Sequence, residues 1–286
     1  MEMMSAVRPL ETFVPPRAAG QRDVLSLALP PMPLLHVAFV GVGARGRMAV
    51  TRWCHIPKVE IAAVCDVSKE VAEEVARHVE QLGKPRPKVY WGETAYKELC
   101  QQQGVNLVYV CTDWMSHVPI AIHAMEQGRS VAVEVPAALT LKDIWTLIDT
   151  AEQTRQHCMM LENAVYDRFE MAVCQMVHEG LLGELVHVEG GYAHPIGDRW
   201  TPWRMEYSRL NAGDVYPTHS IGPICRLLDI HRTDRMHYLT AMQTNAFLGT
   251  EMYQVVMGKA CDSFANGDQT STMIRTVKGK TMLIQH

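Results

Sequence analysis

None of the eight cysteines stands in a C-x-x-C pair, so zinc-ribbon and dithiol redox chemistry have no support, and no metal site is expected. Cys54, Cys65, Cys100, Cys111, Cys158, Cys174, Cys225 and Cys261 are scattered, as expected where free thiols act as small hydrophobes. That usage suits a reducing compartment, and a cytoplasmic location is expected. There is no block of Lys and Arg, and the net charge is −4; both argue against a nucleic-acid partner. No apolar run reaches the roughly 20 residues of a membrane-spanning helix. The N-terminus lacks the basic, apolar and small-residue order of a signal peptide. Neither membrane insertion nor export is therefore expected. Charged residues are 20% and hydrophobic ones 48%, which excludes a largely disordered chain. The 286 residues suffice for two domains.

An ordered dinucleotide signature is present. Val37, Phe39 and Val40 lie in an apolar run leading into Gly41-Val-Gly43-Ala44-Arg45-Gly46, and residues 48–54 read as helix. The first glycine permits a tight turn, the second a close approach of backbone to pyrophosphate, and the third tight helix–strand packing. The helix N-terminus then favours the phosphates. Residues 59–65 read as a second strand closed by Asp66, about twenty residues on, the spacing of a carboxylate that binds ribose hydroxyls. Such a carboxylate repels a 2′-phosphate, so NAD is expected over NADP. Arg45 and Arg47 keep NADP as the alternative, since either could approach a phosphate.

Strand and helix patterns alternate over residues 34–163. Helices are predicted at 69–82, 94–103, 117–127 and 141–156, with Ser68 and Thr140 as N-caps, and strands at 88–91, 105–110, 130–133 and 158–161. This is the α/β pattern of a Rossmann-type, doubly wound parallel sheet. Residues 1–33, with Pro15-Pro16 and Pro30-Pro31-Met32-Pro33, read as an extended arm with one short strand near 24–29. Residues 164–286 change character. A helix is predicted at 166–179, a strand at 185–192, a long loop rich in Trp, Arg and Pro at 194–214, a helix at 219–228, a strand at 236–244 and a hairpin at 271–286. Strands without regular crossover helices predict an α+β domain with a mixed or antiparallel sheet. It reads as incomplete, ending on a strand left open at an edge.

Ligands of open parallel sheets bind at the carboxyl ends of strands, and a cleft between the two domains is expected there. Thr112, Asp113, Trp114 and His117 follow the fourth strand, Glu134 the fifth, and Glu162, Asn163 and Tyr166 the sixth. The long loop adds Trp200, Trp203, Arg204 and Tyr216-Pro-Thr-His219. Aromatic faces stack on sugar rings, and arginine donates paired hydrogen bonds to oxygen-rich groups. A tyrosine and a histidine near a nicotinamide are natural proton carriers. Singly, each of these is as well explained by packing; together, beside a dinucleotide loop, they predict a catalytic centre. His55, His78, His123, His178, His187, His231 and His237 read as surface or helix residues, and the 18 methionines as core filling.

The glycine loop, Glu134-Val-Pro136, Glu162-Asn-Ala-Val-Tyr166 and the His219 segment resemble the glucose–fructose oxidoreductase/inositol dehydrogenase (Gfo/Idh/MocA) family. Its dehydrogenases usually carry a catalytic lysine in Glu-Lys-Pro, where this chain has Val135. They often place an aspartate four residues before the histidine, where this chain has Val215. Glu-Val-Pro, Glu-Asn-x-x-Tyr, Trp-Arg and Gly-Asp-x-Tyr-Pro-Thr-His, in this order, are similar to the NAD-dependent glycosidases of glycoside hydrolase family 109, the α-N-acetylgalactosaminidases, whose members are longer.

That resemblance implies a redox-assisted elimination. NAD⁺ takes a hydride from C3 of the sugar, a base removes the acidified C2 proton, and the glycosidic oxygen leaves C1. Water then adds and the hydride returns to C3. By the same resemblance Tyr166 is the candidate C2 base, and Tyr216 and His219 handle the C3 hydroxyl and leaving-group protons. Glu134, Trp203, Arg204 and Tyr216 would bind the sugar. A tightly bound, recycled NAD would be held by Gly41, Gly43, Ala44, Arg45, Gly46, Asp66, Thr112, Trp114, His117, Glu134 and Asn163. The implied partner is a small-molecule glycoside or oligosaccharide, and a homo-oligomer is expected by analogy. Two alternatives stay open: a sugar or cyclitol dehydrogenase with net NADH production, and a non-catalytic NAD-binding protein.

Overall fold

The apolar run of the glycine motif becomes β1 (Leu35–Val40), the central strand of a sheet covered on both faces. The structure is a computed structural model that describes residues 14–193 and 200–286. The start of the arm, residues 1–13, and the loop positions 194–199 lie outside the described residues. The chain divides into two units, one ending at Leu161 and the other beginning at Glu162.

In the first unit β1 is followed by α1 (Ala44–Trp53), β2 (Val59–Asp66), α2 (Lys69–Gln81), β3 (Lys88–Trp91) and α3 (Tyr96–Gln101). The unit continues through β4 (Leu107–Val110), α4 (Trp114–Glu126), β5 (Ser130–Val133), α5 (Leu141–Thr154) and β6 (Cys158–Met160). The strands pair in parallel in the order β3-β2-β1-β4-β5-β6. The order reverses between β1 and β4, the switch point where open α/β sheets bind ligands. On one face Phe39 stacks on Tyr109 at 4.8 Å and Trp53 meets both edge-on; each such pair adds about 0.5–1.5 kcal/mol beyond burial.

Two helices start earlier than predicted. α1 begins at Ala44, so Gly46 lies inside the helix, because Gly43 is its N-cap. α4 begins at Trp114 because the Asp113 carboxylate accepts the Ser116 N–H at 3.1 Å. The short strand expected near 24–29 is not formed. A turn stands there, closed by the Leu27 N–H on the Val24 carbonyl, with Asp23 accepting the Leu25 N–H. The following prolines lack the N–H groups a ladder needs. The arm is held on α5, where Arg17 forks onto buried Glu152 with two 2.7 Å bonds and Gln21 adds a third at 2.8 Å.

The second unit opens with a 3₁₀ turn, Ala164–Tyr166, then α6 (Arg168–His178), β7 (His187–Gly191), α7 (Pro202–Leu210) and α8 (Thr218–Leu227). β8 (Met236–Gln243), α9 (Gly249–Met257), β9 (Thr270–Thr276) and β10 (Thr281–Gln285) complete it. Its sheet is mixed, in the order β7-β10-β9-β8, with β7 parallel to β10 and the other pairs antiparallel. Ile224 and Leu228 of the α8 region pack on Ile274, Met282 and Ile284.

Three expectations are corrected here. The long loop contains α7: Pro202 sits at its start, Glu206 and Arg209 pair at i,i+3, and Met205 and Ser208 are buried. α9 was not foreseen. Its start is capped by Asp268, which accepts the N–H groups of Phe247 and Leu248 at 2.9 Å, so no local cap residue announces it. The final strand is not an open edge. β10 lies inside the sheet, between β7 and β9.

Candidate functional site

In the first unit the glycine loop is shaped by contacts that a side chain would destroy. Gly41 has φ +84°, and a Cβ there would fall 2.4 Å from the Cys111 carbonyl oxygen. A Cβ on Gly46 would fall 2.0 Å from the Gly41 oxygen. A Cβ on Gly43 would meet no atom of the neighbouring described residues within 4 Å. The first N–H groups of a helix have no partner within it, and Gly43, as N-cap of α1, brings no side chain to cover them. This open, donor-lined end fits a pyrophosphate.

The Asp66 carboxylate closes the loop from beside it, accepting the Val42 N–H at 2.9 Å and the Ser68 N–H at 3.1 Å. Each oxygen keeps a second lone pair for a ribose hydroxyl. Arg47 is engaged by Glu74, and Arg45 by Glu134; both guanidinium groups thus already hold carboxylates. Asp66→Ala is expected to weaken NAD binding more than NADP binding, and to loosen the loop by stripping Val42 of its acceptor. Titration with both dinucleotides checks this. Tighter NADP binding by the unmodified protein would overturn the assignment.

At the end of β5, Glu134 is buried and fully engaged. Arg45 donates to it from Nε at 3.0 Å and Nη2 at 3.3 Å, and the Tyr109 hydroxyl donates at 2.6 Å. Burial, then the Glu134 bond, push the Tyr109 hydroxyl well above its usual range. Burial pulls the Arg45 guanidinium down, but the bond and charge of Glu134 leave it raised. What Glu134 most directly fixes is therefore the placement of Arg45 in the first turn of α1.

His117 is buried, and its Nδ1 lies 2.8 Å from the Pro136 carbonyl. Burial lowers its pKa, partly offset by the backbone at Pro136 and Thr112, and so favours the neutral ring. With the proton on Nδ1, Nε2 is an acceptor, and it has no hydrogen-bond partner among the described residues. The carboxamide of a nicotinamide is a donor of the kind it lacks. Trp114 is buried beside it in α4, and Thr112 bonds the Asp113 carbonyl at 3.1 Å.

In the second unit, Tyr216 and His219 flank the start of α8 with their rings 5.0 Å apart at 73°. Tyr192, just past β7, meets His219 at 4.5 Å and Tyr216 at 5.6 Å. His219 Nδ1 lies 2.8 Å from Glu162 Oε1, with only 10% and 9% of the two side chains exposed. His286 stacks on Tyr192 at 6.1 Å and sits 3.5 Å from Asp214, whose carboxyl is pushed up by burial.

Tyr216 and His219 stand out in the sequence, whereas Tyr192, His286 and the pairing of Glu162 with His219 do not; the tyrosine closing the strand before the long loop is the available signal. Tyr166 lies on its 3₁₀ turn, 58% exposed, with the Arg226 guanidinium 5.8 Å over its ring. Asn163 precedes that turn. Trp203 and Arg204 lie on α7, not in a loop, and the guanidinium sits 4.8 Å over the indole.

Residues 35–162 match the NAD-binding Rossmann fold of the Gfo/Idh/MocA oxidoreductase family, and residues 166–286 match the glycosyl hydrolase 109 C-terminal domain. The chain is 48% identical over 285 residues to glycosyl hydrolase family 109 protein 1 of Bacteroides fragilis, and 45% identical over 288 residues to a family 109 protein of Porphyromonas gingivalis. These alignments cover 98% and 99% of this chain but 61% and 62% of those proteins, so the chain spans about three fifths of their length. The solved myo-inositol dehydrogenase of Lactobacillus casei, in complex with NAD(H) and myo-inositol, aligns over 88% of this chain and 67% of its own. Its TM-score of 0.66 at 18% identity is a likeness of fold.

The parallel sheet with its three-glycine loop is an NAD-binding Rossmann domain of the Gfo/Idh/MocA oxidoreductase family over residues 35–162, and a mixed-sheet unit follows it. Residues 166–286 carry the glycosyl hydrolase 109 C-terminal domain, and the relatives the whole chain matches are family 109 proteins.

Proposed function

We propose that this chain carries the NAD-binding and proton-handling parts of a glycosidase that releases terminal N-acetylgalactosamine through transient oxidation at C3. The observation that carries the reading is the Tyr216–His219 ring pair at the start of α8, in a chain that pairs an NAD-binding loop with Val135 where a dehydrogenase would place lysine. When bound, NAD supplies a hydride acceptor for C3 and returns the same hydride after cleavage, so it is held tightly and recycled.

The protein's own groups move protons. His219 Nε2 accepts the C3 hydroxyl proton, and the Tyr216 hydroxyl protonates the departing glycosidic oxygen. Tyr166, as the phenolate, takes the C2 proton and becomes the neutral phenol. Trp203 offers a stacking face to the sugar and Arg204 donates to its oxygens. In the first unit, His117 Nε2 meets the nicotinamide end. Ordinary glycosidases instead use two carboxylates across the bond.

The test is incubation with an aryl α-N-acetylgalactosaminide while aryl release and NADH absorbance are followed together. Aryl release without net NADH supports the glycosidase. Net NADH from free sugars or cyclitols supports a dehydrogenase, and neither signal a binding protein.

A further inference from the structure

We propose that Glu162 is the positioning residue of His219, holding the imidazole with its proton on Nδ1 and its lone pair on Nε2. The inference rests on His219 being the carrier of the C3 hydroxyl proton, as proposed above.

The hydrogen-bond count at one oxygen fixes the direction. Glu162 Oε1 receives the Ala164 N–H at 2.7 Å. A carboxylate oxygen carries only acceptor lone pairs, and this one already takes the amide hydrogen. His219 Nδ1 lies 2.8 Å from the same atom, so the imidazole must donate, and Nε2 is left to accept. The carboxylate cannot easily turn away. A Cβ on Gly222 would come 2.8 Å from Glu162 Cγ and 3.3 Å from Val165 Cγ1, so the side chain is wedged against α8 one turn beyond His219. Tyr192 and Tyr216 meet the imidazole at 60° and 73° and restrict its plane.

The partner comes from 57 residues away, at the end of β6, while Val215 occupies the position four residues before the histidine. In the step served, the C3 O–H bond breaks and its proton forms an N–H bond at Nε2. The O–H electron pair becomes the carbonyl as C3 yields a hydride to NAD⁺. The imidazolium then stands against the Glu162 carboxylate, and the proton returns by the same path.

The test uses the whole chain with ¹⁵N-labelled histidine, the His219 resonances being assigned by their loss in His219→Gln. In the unmodified protein His219 is expected to carry its proton on Nδ1. In Glu162→Ala it should shift to the Nε2–H form that free histidine favours. Glu162→Gln keeps the shape and the accepting oxygen but removes the charge. On the aryl glycoside, kcat should fall on the order of a hundredfold, with KM and the rise in Tm given by NAD unchanged. An Nε2–H tautomer in the unmodified protein, or full kcat in Glu162→Gln, overturns the proposal. A loss of NAD response in step with kcat also overturns it, because it points to a structural role. If the unmodified chain cleaves no glycoside, the glycosidase reading fails, while the tautomer measurement still decides the pairing.

Discussion

His219→Ala is expected to slow aryl glycoside cleavage by about a hundred- to ten-thousand-fold, the usual cost of removing a positioned acid or base. NAD should still raise Tm to the same extent, because the partners of His219 among the described residues, Glu162, Tyr192 and Tyr216, all lie in the second unit. Alanine also strips the buried Glu162 carboxylate of a donor, and an uncompensated buried charge costs stability. His219→Gln separates the two effects, since its amide can still donate to Glu162 without exchanging a proton. Both variants should lose activity, and only alanine should lose much stability. Tyr216→Phe should lose activity with little change in fold, since it removes one hydroxyl. Steady-state rates together with melting curves check this set. Full activity in His219→Ala would remove the proton carrier from the scheme.

Gly43→Ala and Gly46→Ala should both abolish tight NAD binding, for different reasons. The Cβ at position 46 would meet a backbone oxygen at 2.0 Å. The Gly41 turn must then shift, and overpacking of this kind costs about 1–3 kcal/mol of stability. At position 43 an added Cβ would meet no neighbouring atom among the described residues within 4 Å, and φ is −62°, which alanine adopts without strain. The free protein should keep its Tm, while NAD affinity falls by about tenfold or more, because the added methyl group occupies the space open to pyrophosphate. Calorimetric titration with NAD and melting of the free protein distinguish the two. Unchanged NAD affinity in Gly43→Ala would mean that the loop does not carry the pyrophosphate.

The dinucleotide half was legible because its signals are local. A strand, three spaced glycines and a carboxylate after the next strand lie within 32 residues, Leu35 to Asp66. The caps Ser68 and Thr140 likewise bond N–H groups three residues on. What escaped the sequence depends on distant partners. Glu134 reaches Arg45 across 89 residues, and Glu162 reaches His219 across 57. Asp268 caps α9 from 20 residues away. β10 gains its second neighbour from the parallel strand β7, nearly a hundred residues earlier. A run of Trp, Arg and Pro read as loop became α7 because Met205 and Ser208 found burial and because Tyr253 of α9 donates to Glu206 at 3.0 Å. Propensity is a weak guide where such packing decides.

The measurement that tests the central claim most directly is aryl α-N-acetylgalactosaminide cleavage run in D₂O, with the released sugar read by NMR. Cleavage through a C3 ketone exposes the C2 proton to solvent. The expected result is deuterium at C2 of the released N-acetylgalactosamine and hydrogen retained at C3, with no accumulation of NADH. Product that carries only hydrogen at C2 would contradict it, because the glycosidic bond would then break without an oxidised sugar.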